Sequence, residues 1–266
     1  MTMRRELPGG KWVEFHESPR RAYYLCDGDK RQRLTSVTTV LGVLDKPAVT
    51  RWSEAQGAAG VIHAIAAGLL DPATCVPDEA IDVVRANKLG ADNAKQRAAD
   101  RGLDVHGALE HWAQTGDMPP VSELRMDARP YLRGLARWLV AADPTPVETE
   151  RIVCSPRLRV AGRYDLLCEI DGLTALCDLK TSRGGVPYES AHWQLRAYAD
   201  CEFEVGEPAP AQVLAVGVSP DGEFSAVPCA VEPGEFEHVV AVYRRQQAIA
   251  SATRNHRRAA RKAAAS

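Results

Sequence analysis

The chain has 266 residues, of which 45% are hydrophobic and 26% are charged, so it is long enough to bury a sizeable core. Its formal net charge of −2 excludes a generally basic protein that coats nucleic acid. Contacts to a polyanion would have to come from local clusters of cations.

The cysteines and the N-terminal sequence bear on compartment and cofactors. The seven cysteines lie at positions 26, 75, 154, 168, 177, 201 and 229. No pair has CxxC spacing, so we expect free thiols in a reducing compartment and neither a zinc site nor an iron-sulfur cluster. The N-terminus lacks the apolar region of a signal peptide, and no apolar stretch is long enough to span a bilayer. We therefore expect a soluble cytoplasmic protein of a bacterial cell, with no membrane partner.

The predicted elements divide the chain into four regions within one compact unit. Residues 1–35 are predicted to form a β-hairpin region, because residues 11–25 alternate between apolar and polar side chains. A helical region follows at 36–145. Its helices begin at Ser36 and Pro47 and span 77–88, 91–115 and about 127–142. Residues 146–253 are predicted to form the core, and 254–266 a basic alanine-rich tail on a fraying helix.

Two strands of the core, at 158–170 and 173–181, are predicted to form a hairpin. The Asp171-Gly172 pair between two apolar runs is a strong turn signal. The apolar side chains of the first strand alternate at Tyr164, Leu166, Cys168 and Ile170. Asp165 therefore lies on the opposite, more polar face of this strand.

The second strand carries a carboxylate and a lysine on one face. Because side chains alternate along a strand, Asp178 and Lys180 point to the same side and Leu179 to the other. Taken singly, Asp165 is also explained as a solvated residue, and Asp178 with Lys180 as a surface ion pair. Together they indicate a metal-dependent nuclease site, because two carboxylates hold a hard divalent cation and a nearby lysine orients the attacking water.

A helix predicted at about 187–201 completes this set of motifs. Gln194 and Tyr198 lie on one of its faces, four residues apart. Late strands are predicted at 213–218 and 224–227, and a closing helix begins at Pro233. The order of elements indicates an α/β protein with an N-terminal helical cover.

The motifs GxxD at Gly162 to Asp165, DxK at Asp178 to Lys180, and QxxxY at Gln194 to Tyr198 resemble the RecB-like branch of the PD-(D/E)xK nucleases. The resemblance implies a restriction-endonuclease-like core, with a mixed sheet flanked by helices, at 146–253. The segment from Ser36 to Leu41, with Lys46, Pro47, Ala48 and Trp52, is similar to phage-encoded exonucleases of the family. The chain lacks the iron-sulfur cysteines of some relatives.

Two upstream segments extend the resemblance. Gly102 and His106 match a Gly-x-x-x-His signature of the family, which implies that His106 is a metal ligand. A histidine beside Leu109 and Trp112 is also explained as a partly buried structural side chain. The strand around Glu150 resembles the family's strand with a glutamate near the site, which makes Glu150 a further candidate for binding metal or water.

The resemblance assigns a role to each motif. Its metal ligands are His106, Asp165, Asp178 and the backbone carbonyl of Leu179, which together hold Mg²⁺ or Mn²⁺. Lys180 holds the attacking water, so the catalytic residues are Asp165, Asp178 and Lys180. The residues that contact nucleic acid or support the site are Gln194, Tyr198, Arg163 and Arg183.

We expect a metal-dependent DNA exonuclease that acts on DNA ends or single strands in recombination, repair or phage DNA processing, with a recombination protein as a candidate partner. The alternatives are an endonuclease on the same scaffold and an inactive nucleic-acid-binding protein. Cations near the site that could contact phosphates are Arg157, Arg159, Arg163, Arg183 and Arg196. A second cluster, from Arg244 to Lys262, is explained equally by DNA binding and by a solvated helix end.

Overall fold

The computed structural model describes residues 2–18 and 21–264, and its nine strands form one mixed sheet. The strands are β1 (Thr2–Glu6), β2 (Trp12–His16), β3 (Ala22–Asp27), β4 (Lys30–Ser36), β5 (Thr145–Ser155), β6 (Val160–Ile170), β7 (Leu173–Thr181), β8 (Gln212–Val218) and β9 (Phe224–Pro228). The helices are α1 (Val37–Val40), α2 (Pro47–Ala66), α3 (Pro77–Ala86), α4 (Ala91–Thr115), α5 (Tyr131–Ala142), α6 (Glu189–Glu204) and α7 (Phe236–Ala264). The predicted α/β class, a mixed sheet flanked by helices, is confirmed.

The hairpin of β6 and β7 has the predicted turn. Asp171 and Gly172 both have positive φ, 51° and 74°, which is the geometry of a tight two-residue hairpin turn. The strand order is β1-β2-β3-β4-β6-β7-β8-β9, with β5 paired to β6. The β4–β6 and β7–β8 pairs are parallel, and the remaining pairs are antiparallel.

The sheet forks between β6 and β7. One edge of β6 pairs with β5 along its length. The other edge pairs with β4 at the first two residues of β6 and with β7 at its last five residues. The β6–β7 ladder ends at Leu166 and Cys177. Beyond this point, the last four residues of β7 pair with β8 alone. Asp165 and Asp178 are the next residues beyond this last pair, so both lie at the opening of the fork.

Apolar side chains cover both faces of the core sheet. On one face, Trp138 and Leu135 of α5 and Leu109 of α4 pack on β6, β7 and β8. On the other face, α6 and α7 pack on the sheet through residues such as Leu195 and Phe236. These two layers hold the fork between helices that belong to different parts of the chain.

The sequence predicted that Tyr164 shares a face with Leu166, Cys168 and Ile170, and this prediction is wrong. Tyr164 packs in the layer under α6, whereas Leu166 and Cys168 pack under α4 and α5. The reason is a local break in the β5–β6 ladder opposite Asp165, where Glu150 has a φ of 53°.

The N-terminal region contains four strands, β1 to β4, where the sequence predicted a hairpin at 11–25. The added strands are rich in charged residues, which have low strand propensity, so pairing to their neighbours determines their conformation. A buried ion-pair network joins Arg5 of β1 and Arg151 of β5 to Glu202 of α6. Residues 1, 19 and 20 lie outside the described part.

The helical region follows the predicted order, and α4 spans the predicted residues 91–115. α2 and α3 pack on each other and α2 on α4, which leaves α2 and α3 on the outside of the fold. The predicted tail at 254–266 continues α7 as far as Ala264, while residues 265 and 266 lie outside the described part. None of the helices in the described ranges has the length and apolar character needed to cross a membrane.

Candidate metal centre

Asp165 occupies the opening of the fork and is held from two directions. Its Oδ2 accepts a hydrogen bond of 2.7 Å from the backbone N–H of Leu179. Its Oδ1 lies 3.0 Å from Nδ1 of His106, which α4 brings over the sheet. The two side chains are only 11% and 24% exposed, so the carboxylate and the imidazole form a shielded pair.

Asp178 is completely buried on β7, yet one of its oxygens is poorly satisfied. Oδ1 accepts a hydrogen bond of 3.1 Å from Nε2 of Gln194. Oδ2 is in ion-pair contact with Nζ of Lys180 but makes no aligned hydrogen bond to the described residues. A buried carboxylate is costly unless it is paired, and a divalent cation beside Lys180 would add to this pairing. The donor set therefore fits a divalent metal ion.

Glu150 approaches the site from β5 through a strained backbone. Its φ of 53° is unusual for a non-glycine residue and occurs inside a strand. Its Oε2 lies 2.5 Å from Nε of Arg163. One ligand atom each from Glu150, His106 and Asp165 lies within 4.8 Å of the others, which makes this trio a geometrically plausible cation site.

The close pair of His106 and Asp165 shifts the pKa values of both side chains toward their charged forms. Burial raises the pKa of Asp165, but His106 and Lys180 offset this effect, so the net pKa lies below the ordinary value. Burial likewise lowers the pKa of His106, but Asp165 more than compensates and the net pKa is raised. Each partner of the pair therefore favours the charged form of the other.

Asp178 and Glu150 are shifted in the opposite direction. Burial raises the pKa of Asp178 to about 6, against the lowering effect of Lys180. Burial also raises the pKa of Glu150 to about 7, although Arg163 lowers it. Burial lowers the pKa of Lys180, but Asp178 outweighs it and the net pKa is raised. The site thus sets three carboxyl groups against the cationic partners His106, Lys180 and Arg163, and burial raises the pKa of two of those carboxyl groups.

Gln194 and Tyr198 support Asp178 from α6. Nε2 of Gln194 contacts Asp178 and, at 2.9 Å, the hydroxyl of Tyr198, and it makes no described contact with Lys180. Tyr198 is only 3% exposed. A Cβ at Gly162 would lie 2.2 Å from Cε1 of Tyr198, so the glycine of GxxD makes room for the tyrosine of QxxxY. Sequence spacing gave no sign of this contact.

Three of the predicted site residues have no described contact that matches the role predicted for them. Arg163 pairs with Glu150, donates to the sulfur of Met3 and lies over the ring of Phe15, so its contacts are within the protein. The contact that Leu179 makes to the site is its N–H, while the role of its carbonyl stays a prediction. Arg183 is exposed in the loop after β7.

Two of the other cations that the sequence predicted near the site also have partners within the protein. Arg157 pairs with Glu237 and contacts Glu204, and Arg196 pairs with Asp200 at 2.8 Å. Phosphate contacts by these two side chains would have to compete with those carboxylates.

Comparison with known proteins defines the class. A sequence model of the PD-(D/E)XK nuclease superfamily matches residues 119–265, more than half of the chain, and the chain belongs to this superfamily. Membership implies a nuclease that uses divalent metal ions and a nucleic-acid substrate. The match includes Asp165, Asp178 and Lys180 but begins after His106.

The remaining comparisons add little. No curated protein matches the sequence. Among solved structures, the crystal structure of SSO0001 matches at 20% identity with a TM-score of 0.28. That match covers 42% of this chain and 53% of the other, so this chain spans about half of that protein.

Proposed function

We propose that the protein is a RecB-like, metal-dependent DNA exonuclease that hydrolyses phosphodiester bonds. The observation that carries the proposal is the fork, where His106 of the helical cover pairs with Asp165 and where Lys180 pairs with Asp178 on the neighbouring strand. Recombination, repair or phage DNA processing is the proposed setting, with a recombination protein as the candidate partner.

The proposed metal ligands are His106, Asp165 and Asp178, with Glu150 and the carbonyl of Leu179 as further candidates. Carboxylate oxygens suit Mg²⁺, and an imidazole in the shell shifts the preference toward Mn²⁺. When bound, such an ion polarises the phosphate and lowers the pKa of a coordinated water. The complete burial of Asp178 and the raised pKa of its carboxyl support this assignment.

The chain's own residues orient the reacting groups. The N–H of Leu179 fixes Asp165, and Gln194 fixes Asp178, so both carboxylates are held before substrate binds. Lys180 is 27% exposed while its partner Asp178 is buried, so its ammonium can also reach a water or phosphate oxygen at the surface of the site. We assign to Lys180 the positioning of the attacking water.

Cleavage from an end is favoured by the position of α4. This helix contacts β5, β6 and β7, and it places His106 against Asp165 from above the sheet. His106 and Asp165 are only 24% and 11% exposed, and a shielded site of this kind is reached more easily by a free strand end than by a continuous duplex. An endonuclease on the same scaffold is the alternative.

Hydrolysis of labelled linear and closed circular DNA in Mg²⁺, Mn²⁺ or EDTA tests the proposal. We expect loss of linear DNA only with metal, survival of the circle, and a rate at least ~100-fold lower in Lys180→Met. Lys30→Met, at an exposed position on β4, is the matched control and should keep the wild-type rate. Full activity of Lys180→Met would refute the mechanism, cleavage of the circle would show an endonuclease, and binding without cleavage would show an inactive binding protein.

A further inference from the structure

The last part of α7 concentrates positive charge in a way that the rest of the chain does not. Residues 244–262, called here the basic arm, contain seven of the 33 Lys and Arg residues and none of the 35 Asp and Glu residues. The whole chain has a formal charge of −2 and the arm +7, so the rest of the chain carries −9. The molecule is therefore strongly polarised.

The basic arm extends into solvent. α7 is anchored by Phe236, Val239 and Val240, which pack under the sheet, and it contacts α1 and α6. From Arg244 to Lys262, every side chain except Ala250 is exposed. At 1.5 Å per residue the exposed helix is roughly 27 Å long. Neither packing nor burial in the folded chain explains this length of helix.

The cations of the arm's outer half lie on one side. Each of these cations has another three or four residues away, as in the pairs Arg254 and Arg258, Arg257 and Arg261, and Arg258 and Lys262. They therefore form a stripe along one side of the helix. A solvated helix usually alternates charges of both signs along its surface, but no carboxylate follows Glu237 in the chain. The like charges in the stripe repel one another unless an anion lies beside them.

The helix dipole accounts for only part of this pattern. Its effect is confined to the last turn, which holds Arg261 and Lys262. Arg254 lies ten residues before the end of α7, where the dipole no longer favours a cation. The stripe therefore requires another explanation than a solvated helix end.

We propose that the basic arm binds the phosphate backbone of DNA without regard to sequence and so holds substrate near the nuclease core. The inference rests on the proposed function and adds a substrate-binding surface to it. Charge complementarity supports it, because an evenly spaced polyanion is the ligand that a one-sided stripe of guanidinium groups fits. The negative body of the molecule would otherwise repel DNA, so a separate cationic element is needed for capture.

Two other occupants fit less well. A membrane-surface helix needs large apolar residues opposite its cations, and the opposite side of the arm offers Ile249 among alanines. A second copy of the chain could present its acidic body to the arm. Self-association is therefore measured alongside DNA binding.

The test replaces the four arginines of the stripe by glutamine, in Arg254→Gln, Arg257→Gln, Arg258→Gln and Arg261→Gln together. All four are exposed and glutamine is a good helix former, so the fold should be kept, as unfolding curves will verify. The matched control removes four exposed cations elsewhere, in Lys30→Gln, Arg33→Gln, Arg85→Gln and Lys88→Gln. Binding of short fluorescent DNA, double- and single-stranded, is measured in EDTA between about 50 and 200 mM NaCl.

We expect the arm variant to bind DNA at least ~10-fold more weakly than the control at low salt, with a salt slope smaller by about 3. Its hydrolysis of DNA below saturation should slow by a similar factor relative to the control, because less substrate is held near the core. Equal affinity and slope in the two variants would overturn the inference, and loss of self-association with unchanged DNA affinity would assign the arm to a second copy.

Failure of the inference and failure of the proposed function give different results. If metal-dependent hydrolysis is found but the arm variant binds DNA like the control, only the arm's role is wrong. If the arm variant loses binding but no protein hydrolyses DNA, only the nuclease mechanism is wrong. If the wild type neither binds nor hydrolyses DNA, both are wrong.

Discussion

At the scale of single residues, the site combines carboxyl groups whose pKa values are shifted in opposite directions. Asp165 has a lowered pKa because His106 and Lys180 overcome the effect of its burial. Asp178 and Glu150 have raised pKa values because burial dominates. Such divergence among neighbouring carboxyl groups is typical of functional sites, where folding stability is sacrificed for chemistry.

The pH dependence of stability tests the state of Glu150. Its folded pKa of about 7 exceeds the ordinary value of 4.5, so the folded protein holds the proton more tightly than the unfolded chain. This stabilising contribution is complete below pH 4.5 and is lost as the pH rises through 7. In EDTA, the unfolding free energy of the wild type should fall between pH 5 and 8 by about 2 kcal/mol more than that of Glu150→Gln.

Urea unfolding at the two pH values measures this difference. The control Glu169→Gln changes an exposed carboxylate on the same sheet and should leave the wild-type pH dependence intact. Identical pH dependence in Glu150→Gln and wild type would show that burial does not govern this carboxyl.

Several properties of the site followed from local rules. The turn at Asp171-Gly172 and the alternation along the strand placed Asp178 beside Lys180, and both features depend only on neighbouring residues. The strained φ of Glu150 and its pairing with Arg163 could not be predicted. They depend on how β5 meets β6, which no local spacing encodes.

At the scale of elements, the site depends on close approach of β6 and α6. Gly162 allows the ring of Tyr198 to lie against the strand, and this ring in turn contacts the Gln194 that holds Asp178. The sequence identified both motifs but not the contact between them. Strand-to-helix distances arise from tertiary packing, which a spacing pattern within each element does not describe.

The substitution Gly162→Ala tests this approach. The added methyl group would lie 2.2 Å from Cε1 of Tyr198, so we expect a loss of roughly 2 kcal/mol or more in unfolding free energy. Gly107→Ala, in the interior of α4 where nothing lies within 4 Å, is the control and should stabilise by about 0.5 kcal/mol or more. Chemical denaturation measures both.

Combining Gly162→Ala with Tyr198→Leu should recover part of the lost stability, because the smaller side chain removes the clash. Equal stability of Gly162→Ala and wild type would mean that β6 and α6 are not held at this distance.

Prediction of elements succeeded where the pattern was strong and local. The periodic α4 and the β6–β7 hairpin are placed by apolar spacing and turn residues alone. β1 and β4 were not predicted, because their many charged side chains have low strand propensity. Pairing with neighbouring strands determines their conformation.

At the scale of the whole molecule, the fold brings together parts of the chain that are remote in sequence. His106 comes from the helical region and the two aspartates from the hairpin, and they meet only because α4 lies across the fork. Charge is distributed as unevenly as the residues of the site, with a cationic arm on an acidic body. The chain belongs to the PD-(D/E)XK nuclease superfamily, and the proposed function together with the proposed role of the arm would give both features one substrate, DNA.

The central claim is that His106, Asp165 and Asp178 hold a divalent cation at the fork of the sheet. The most direct measurement is the anomalous scattering of Mn²⁺ in crystals of the wild type and of Asp178→Asn. We predict one or more ions coordinated by these side chains in the wild type, with occupancy reduced in the variant. Crystals in which Mn²⁺ does not bind, or in which it binds without contacting Asp165 and Asp178, would contradict the claim.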